Sequence, residues 1–174
     1  MSFYALRFNL YLLLGAIMVA GCQTGGKKDK HLSSLRFHLE SRRVIPDRTE
    51  TVTVLRSHPV QITVDSSPFL TEANILKAVV LETPDGFAIE VKFDSPGTLI
   101  FEQYTAANQG RHFAIFTQWS DKTADSRWIS APIIAHRYKD GVYSFTPDAS
   151  REETEKIVVG LNNMAEKIAK GQLK

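Results

Sequence analysis

One thiol, five imidazoles and a pair of carboxylates on neighbouring strands are the groups in this sequence that could do chemistry. His31, His38, His58, His112 and His136 are scattered along the chain. No two of them have the H-x-x-x-H or comparable spacing that brings imidazoles onto one metal ion. They read as surface or strand-edge residues. Glu82 and Glu90 flank an expected hairpin and could approach each other, but two solvated strand residues are the simpler reading. There is no G-x-S-x-G elbow and no phosphate-binding glycine loop. The sequence therefore points away from an enzyme and implies no metal or other cofactor.

The thiol is Cys22, the sole cysteine, and it follows "VAG" at the end of an apolar run. Arg7 supplies a positive leader. "LYLLLGAIMVA", Leu10 to Ala20, carries no charge and is shorter than the about 20 apolar residues a membrane span needs. It fits the about 7–15-residue hydrophobic region of a secretory signal. Small residues before a lone cysteine resemble the bacterial lipobox, in which the cysteine is acylated and the leader is cut just before it. Residues 1–21 are then a signal peptide. Cleavage removes Arg7 and no acidic residue, leaving a nearly neutral body. Two or more acyl chains would give a stable anchor in a lipid bilayer. An intrachain disulfide is impossible. Gln23 stands where an inner-membrane retention signal would place aspartate, which favours the outer membrane, facing the periplasm.

Binding chemistry would fall to large aromatics. Phe69, Tyr104, Trp119 and Trp128 are the candidates for holding polypeptide, and exposure decides between that role and core packing.

Composition sets the frame for these residues. Of 174 residues 43% are hydrophobic and 23% charged, as in a packed domain, and a formal net charge of +2 gives no reason to expect a nucleic-acid partner. "QTGGKKDKHLSS", within residues 22–34, reads as a solvated linker spanning about 20 Å. A single domain is expected over residues 35–174. "LRFHLESRRVI" would begin it as a strand carrying Leu35, Phe37 and Leu39 on one face, until Pro46 and Asp47. "TVTVL" and "VQITV" alternate as strands around His58-Pro59. Thr71 can cap a short helix opened by Glu72. "KAVVLET" and "GFAIEVKF" form a hairpin around Pro84-Asp85-Gly86.

A helix over about 96–108 follows from Asp94 or Ser95 as cap and Pro96 in the first turn. Leu99, Ile100, Tyr104 and Ala107 would share one face. Gly110 would end the helix in the left-handed cap conformation. "RHFAIFTQW" then leaves as a strand, "SDKTADS" is a polar loop, "RWISAPII" is a strand up to Pro132, and Asp140-Gly141 turns into a short strand. A second helix, about 150–169, has the Ser150/Glu153 capping box and an apolar stripe of Ile157, Leu161, Met164 and Ile168. The class is α+β: a largely antiparallel sheet with two main helices packed on one face.

With these elements placed, the stretch from Phe69 to Leu161 resembles the head part of the first periplasmic domain of SecD, a subunit of the SecDF protein-export complex. "PFLTEANILKAVV" is similar to that family's threonine-led short helix entering a strand. "GFAIEVKFDSPGTLIFEQYTAANQGRHFAIF" resembles its strand, helix and T-A-x-N-x-G stop before a further strand. "ISAPII" resembles its S-A-P-x-I segment, and "SREETEKIVVGL" its closing helix. The segments occur in the family's order. Three departures stand out: SecD spans the membrane several times and this chain has no such helices; "SDKTADS" is longer than the family's turn; and Asp140-Gly141 stands where SecD usually has Gly-Gly. The proton-conducting part of that complex lies in its membrane helices, so none of it carries over. The resemblance implies a fold and a tendency to touch exported polypeptides. The reading is a lipid-anchored lipoprotein that binds exported or unfolded chains or assists an envelope export complex. The alternative is a structural or assembly lipoprotein with one dedicated envelope partner.

Overall fold

A computed structural model describes residues 31–56, 58–120 and 124–172. Residues 1–30, which hold the expected signal peptide, Cys22 and most of the expected linker, lie outside the described residues. Among the described residues eight strands and two helices follow in the order β1 (Ser33–Leu39), β2 (Thr49–Val54), β3 (Val60–Asp65), a 3-10 turn (Glu72–Asn74), β4 (Ile75–Thr83), β5 (Gly86–Phe93), α1 (Ser95–Ala107), β6 (Phe113–Ser120), β7 (Ala124–Ser130), β8 (Val142–Phe145) and α2 (Arg151–Ala169). The fold is α+β. Every strand pairing is antiparallel, as the tight turns imply, but the strands divide among three sheets: β1-β6-β7, β2-β3 and β4-β5-β8.

Local chemistry sets the element ends. Thr71 caps the 3-10 turn and accepts from the Ala73 amide. Thr83 pairs with Gly86 across the Pro84-Asp85 turn, and Gly86 takes φ +136°. Asp94 caps α1 through the Gly97 amide at 2.7 Å. Ser150 and Glu153 satisfy each other's amides at the start of α2. Two expectations shift. The first strand stops at Leu39 rather than Ile45, because Glu40 and Ser41 turn away to pair with Val64 and Thr63 of β3. Ala124, Asp125 and Ser126, expected in a loop, belong to β7 opposite Ser120, Trp119 and Gln118.

The main core joins all layers except the β2-β3 hairpin. Phe37 sits at its centre, with Phe93, Phe101 and Phe113 rings at 5.8, 6.2 and 5.7 Å. Fully burying one such ring is worth about 2–3 kcal/mol. Strand alternation then assigns the two faces of the β1-β6-β7 sheet. Phe113 and Ile115 enter the main core, while Ala114 between them meets Val52, Val54, Ile62 and Val64 of the hairpin in a second, smaller core.

Helix α2 is wedged against two strands at once. Gly160 lies against Ser33 of β1, where a Cβ would come within 2.7 Å of the Ser33 amide nitrogen. On its other flank Asn162 reads the free edge of β4, accepting from the Ala78 amide and donating to the Ala78 carbonyl, both at 2.9 Å. A side chain thus stands in for a further strand. The chain entering β1 straps over the helix: the His31 ring reaches the Lys156 carbonyl at 2.9 Å, and Asn163 donates to the His31 carbonyl at 2.8 Å. The apolar stripe of α2 is buried at Ile157 and Leu161, whereas Met164 and Ile168 lie half-buried beyond the core.

Candidate functional site

The site is built around the end of α1. Gly97, Phe101 and Thr105 are the residues this helix buries. The expected face of Leu99, Ile100, Tyr104 and Ala107 is therefore rotated: Ile100 packs on the core, but Leu99 is 54% exposed and Tyr104 38%. Phe101 and Thr105 win because the core needs the large ring, and the Thr105 hydroxyl satisfies itself within the helix. It donates to the Phe101 carbonyl at 2.7 Å and accepts from the Tyr138 amide at 3.2 Å. Tyr104 is left outside and stacks on the half-buried Phe69, with centroids 4.4 Å apart and planes 9° from parallel. Phe69 is itself fixed, since its amide donates to the Phe37 carbonyl at 2.9 Å. Two of the four candidate aromatics thus form one rigid surface shelf.

The other two are elsewhere. Trp119 is 4% exposed in the main core, with the Arg127 guanidinium 5.2 Å from its ring centre. Trp128 is half-buried against the hairpin core, with the buried His38 ring at 4.9 Å. These two rings do packing work, because the hairpin and α2 cover the faces from which they project. Burial also pushes the His38 imidazole below its ordinary pKa.

"TAANQGRH" is a junction. Gly110 adopts φ +78° as expected for the helix stop. Its amide donates to the Ile134 carbonyl at 2.9 Å, and the Ile134 amide returns to the Arg111 carbonyl at 2.8 Å. Asn108 donates to the Tyr104 carbonyl and accepts from Arg111, which also reaches the Glu40 carbonyl. Glu40 in turn holds His112 by its amide at 2.7 Å and its ring at 3.2 Å. The motif therefore fixes the angle between α1, β6 and the end of β1. Beside it opens a cavity of about 330 Å³ between Ala107, Asn108 and Arg111 and the connection bearing Arg42, Arg43 and Ile45.

The two candidate carboxylates do not meet. Glu82 and Glu90 lie on opposite faces of their hairpin; Glu82 meets Arg151 at 2.6 Å and Glu90 meets Ser144 at 3.2 Å. Among the described residues no three His, Cys, Asp or Glu side chains converge as metal ligands. No helix among them is long and apolar enough to cross a membrane.

The model of the SecDF P1 head subdomain matches residues 47–165, well over half of the chain. The chain belongs to this family. No curated protein matches it. Two solved structures agree in fold. One, a study of SecDF as a membrane component that enhances protein export, superposes with a TM-score of 0.53 at 19% identity over 76% of this chain and 63% of that one. The other, SecDF in its super-membrane-facing form, gives 0.53 at 20% identity over 75% of this chain and 18% of that one. The chain thus spans less than two thirds of either. The helix-stop junction lies inside the matched segment. The connection at residues 41–48 largely precedes the matched segment. Sequence reasoning passed over it because the run into Ile45 looked like strand; three arginines around an apolar pair in "SRRVIPDR" were the available signal.

Proposed function

We propose that this protein is a lipid-anchored accessory of protein export that holds unfolded polypeptides weakly at the membrane surface. The Phe69–Tyr104 shelf carries the reading. A stacked aromatic pair left at the surface of a SecDF P1 head domain, on a helix end locked by the Thr105–Gly110 junction, is a preorganised apolar platform. Such a platform suits many sequences, because ring faces accept any apolar side chain. It buries little area, so affinity is micromolar or poorer. Cys22 would supply the anchor through its acyl chains and place the domain within about 20 Å of the bilayer. Gln23 favours outer-membrane delivery. Residues 1–21 would be the signal peptide and Cys22 the acylated start of a linker that ends before β1, short of the expected residue 34 because Ser33 and Ser34 already pair with β6, and the rest one domain. We propose no enzymatic activity.

The test is a photo-crosslinking residue at position 104 of the full-length protein in intact cells. The reading predicts many exported chains in the captured set, present only while secretion runs. Capture of one folded envelope protein, unchanged when secretion stops, would replace it with the dedicated-partner reading.

A further inference from the structure

Three cations line the cavity beside the α1 end. Arg42 and Arg43 line it together with Arg111. Arg111 is spent on Glu40 and Asn108, but among the described residues Arg42 and Arg43 have no ion-pair or hydrogen-bond partner for their guanidinium groups. The nearest acidic neighbours in sequence do not neutralise them: Glu40 is engaged by His112, and Asp47 is the one carboxylate against three arginines across residues 41–48.

The connection is built rather than slack. The Ile45 carbonyl accepts from the Arg48 and Thr49 amides at 3.2 and 3.0 Å, and Thr49 Oγ1 accepts from the Ile45 amide at 2.8 Å. Apolar surface accompanies the charge, since Val44 is 75% exposed and Ile45 39%. Tyr104 and Asn108 sit one helical turn apart, about 6 Å, so the aromatic shelf and the arginine-lined cavity are neighbours on α1. An extended chain covers that distance in about two residues.

On the reading that the shelf holds polypeptide, we propose that the cavity takes a carboxylate of the same bound segment. The domain then selects stretches in which an aspartate or glutamate lies two to four residues from an aromatic or large apolar side chain. Guanidinium groups bind carboxylates in paired, planar geometry, and charge complementarity selects among otherwise similar apolar segments. A concave cavity beside a flat aromatic shelf suits an extended chain better than a bilayer, which meets protruding surfaces.

The experiment uses the full-length chain in detergent micelles and two fluorescent peptides. Both carry one phenylalanine, with either aspartate or asparagine two residues later. Anisotropy should show the aspartate peptide binding roughly tenfold more tightly. Arg42→Gln with Arg43→Gln should abolish that difference while leaving the asparagine peptide's affinity and the melting temperature unchanged. Equal affinities for the two peptides would overturn the proposal alone. Failure of both peptides and of a denatured carrier protein to bind would overturn it together with the polypeptide-holding reading. A third arm uses phosphatidylglycerol-containing vesicles. If the double variant loses vesicle binding yet keeps the aspartate preference, the arginines serve a lipid surface and the proposal falls.

Discussion

A methyl group added at Gly160 tests how α2 is seated. A Cβ there would stand 2.1 Å from Ser33 Oγ, 2.8 Å from Ser33 Cβ and 2.7 Å from the Ser33 amide nitrogen. Unstrained contacts of carbon begin near about 3.5 Å, so helix and strand must part by roughly 0.8 Å to clear the backbone. Neither partner can yield freely. Ile157 and Leu161 are fully buried on the same helix, and Leu35 and Phe37 on the same strand. Overpacking of this kind costs about 2–3 kcal/mol. Alanine's better helix propensity returns about 1 kcal/mol, leaving a net loss of about 1–2 kcal/mol. For a domain of this size the melting temperature should fall by about 2–8 °C. Circular dichroism melts and urea titration of Gly160→Ala measure it. Adding Ser33→Gly removes the hydroxyl and Cβ contacts but not the backbone one, so it should restore part of the loss. A melting temperature unchanged or raised in Gly160→Ala would refute the close-approach argument.

Three further expectations follow. Gly110→Val should cost more than about 1 kcal/mol, because a β-branched residue fits φ +78° poorly; an unchanged denaturation midpoint would contradict this. Glu153 is bonded by Arg127 at 3.0 Å and by the Ser150 amide at 2.7 Å, which lowers its pKa from 4.5 to about 2. Its contribution is thus complete above pH 4.5 and lost as the pH falls toward 2. Discounted for solvent screening it is worth roughly 2 kcal/mol, and Glu153→Gln should flatten the stability profile between pH 5 and about 2. Cys22→Ser should abolish fatty-acid labelling and leave the precursor uncut by the lipoprotein route; labelling that persists would remove the anchor.

The sequence told most where one residue type has one job. Gly110, Ser150 with Glu153, Thr71 and the Pro84-Asp85-Gly86 turn all sit where local chemistry places them, since caps and positive-φ turns are decided within a few residues. Face assignments were less legible. The α1 stripe of Leu99 and Tyr104 looked as apolar as Phe101, and a threonine at 105 gave no hint that it would be buried through two hydrogen bonds. The division into three sheets and the Asn162–Ala78 edge contact join residues far apart in the chain, which no local pattern records. The same applies to the site: Phe69 and Tyr104 were visible as candidates, but their stacking, the burial of Trp119 and the arginine-lined cavity emerge only once both helices are docked.

The measurement closest to the central claim is binding of a permanently unfolded, reduced and alkylated protein to the full-length chain in micelles, followed by fluorescence anisotropy. The account predicts saturable binding at micromolar or weaker affinity, indifferent to chelators. It also predicts binding reduced several-fold by Tyr104→Ala with the melting temperature intact. No binding up to about 100 times that concentration range, or binding that Tyr104→Ala and Phe69→Ala leave unchanged, would contradict it.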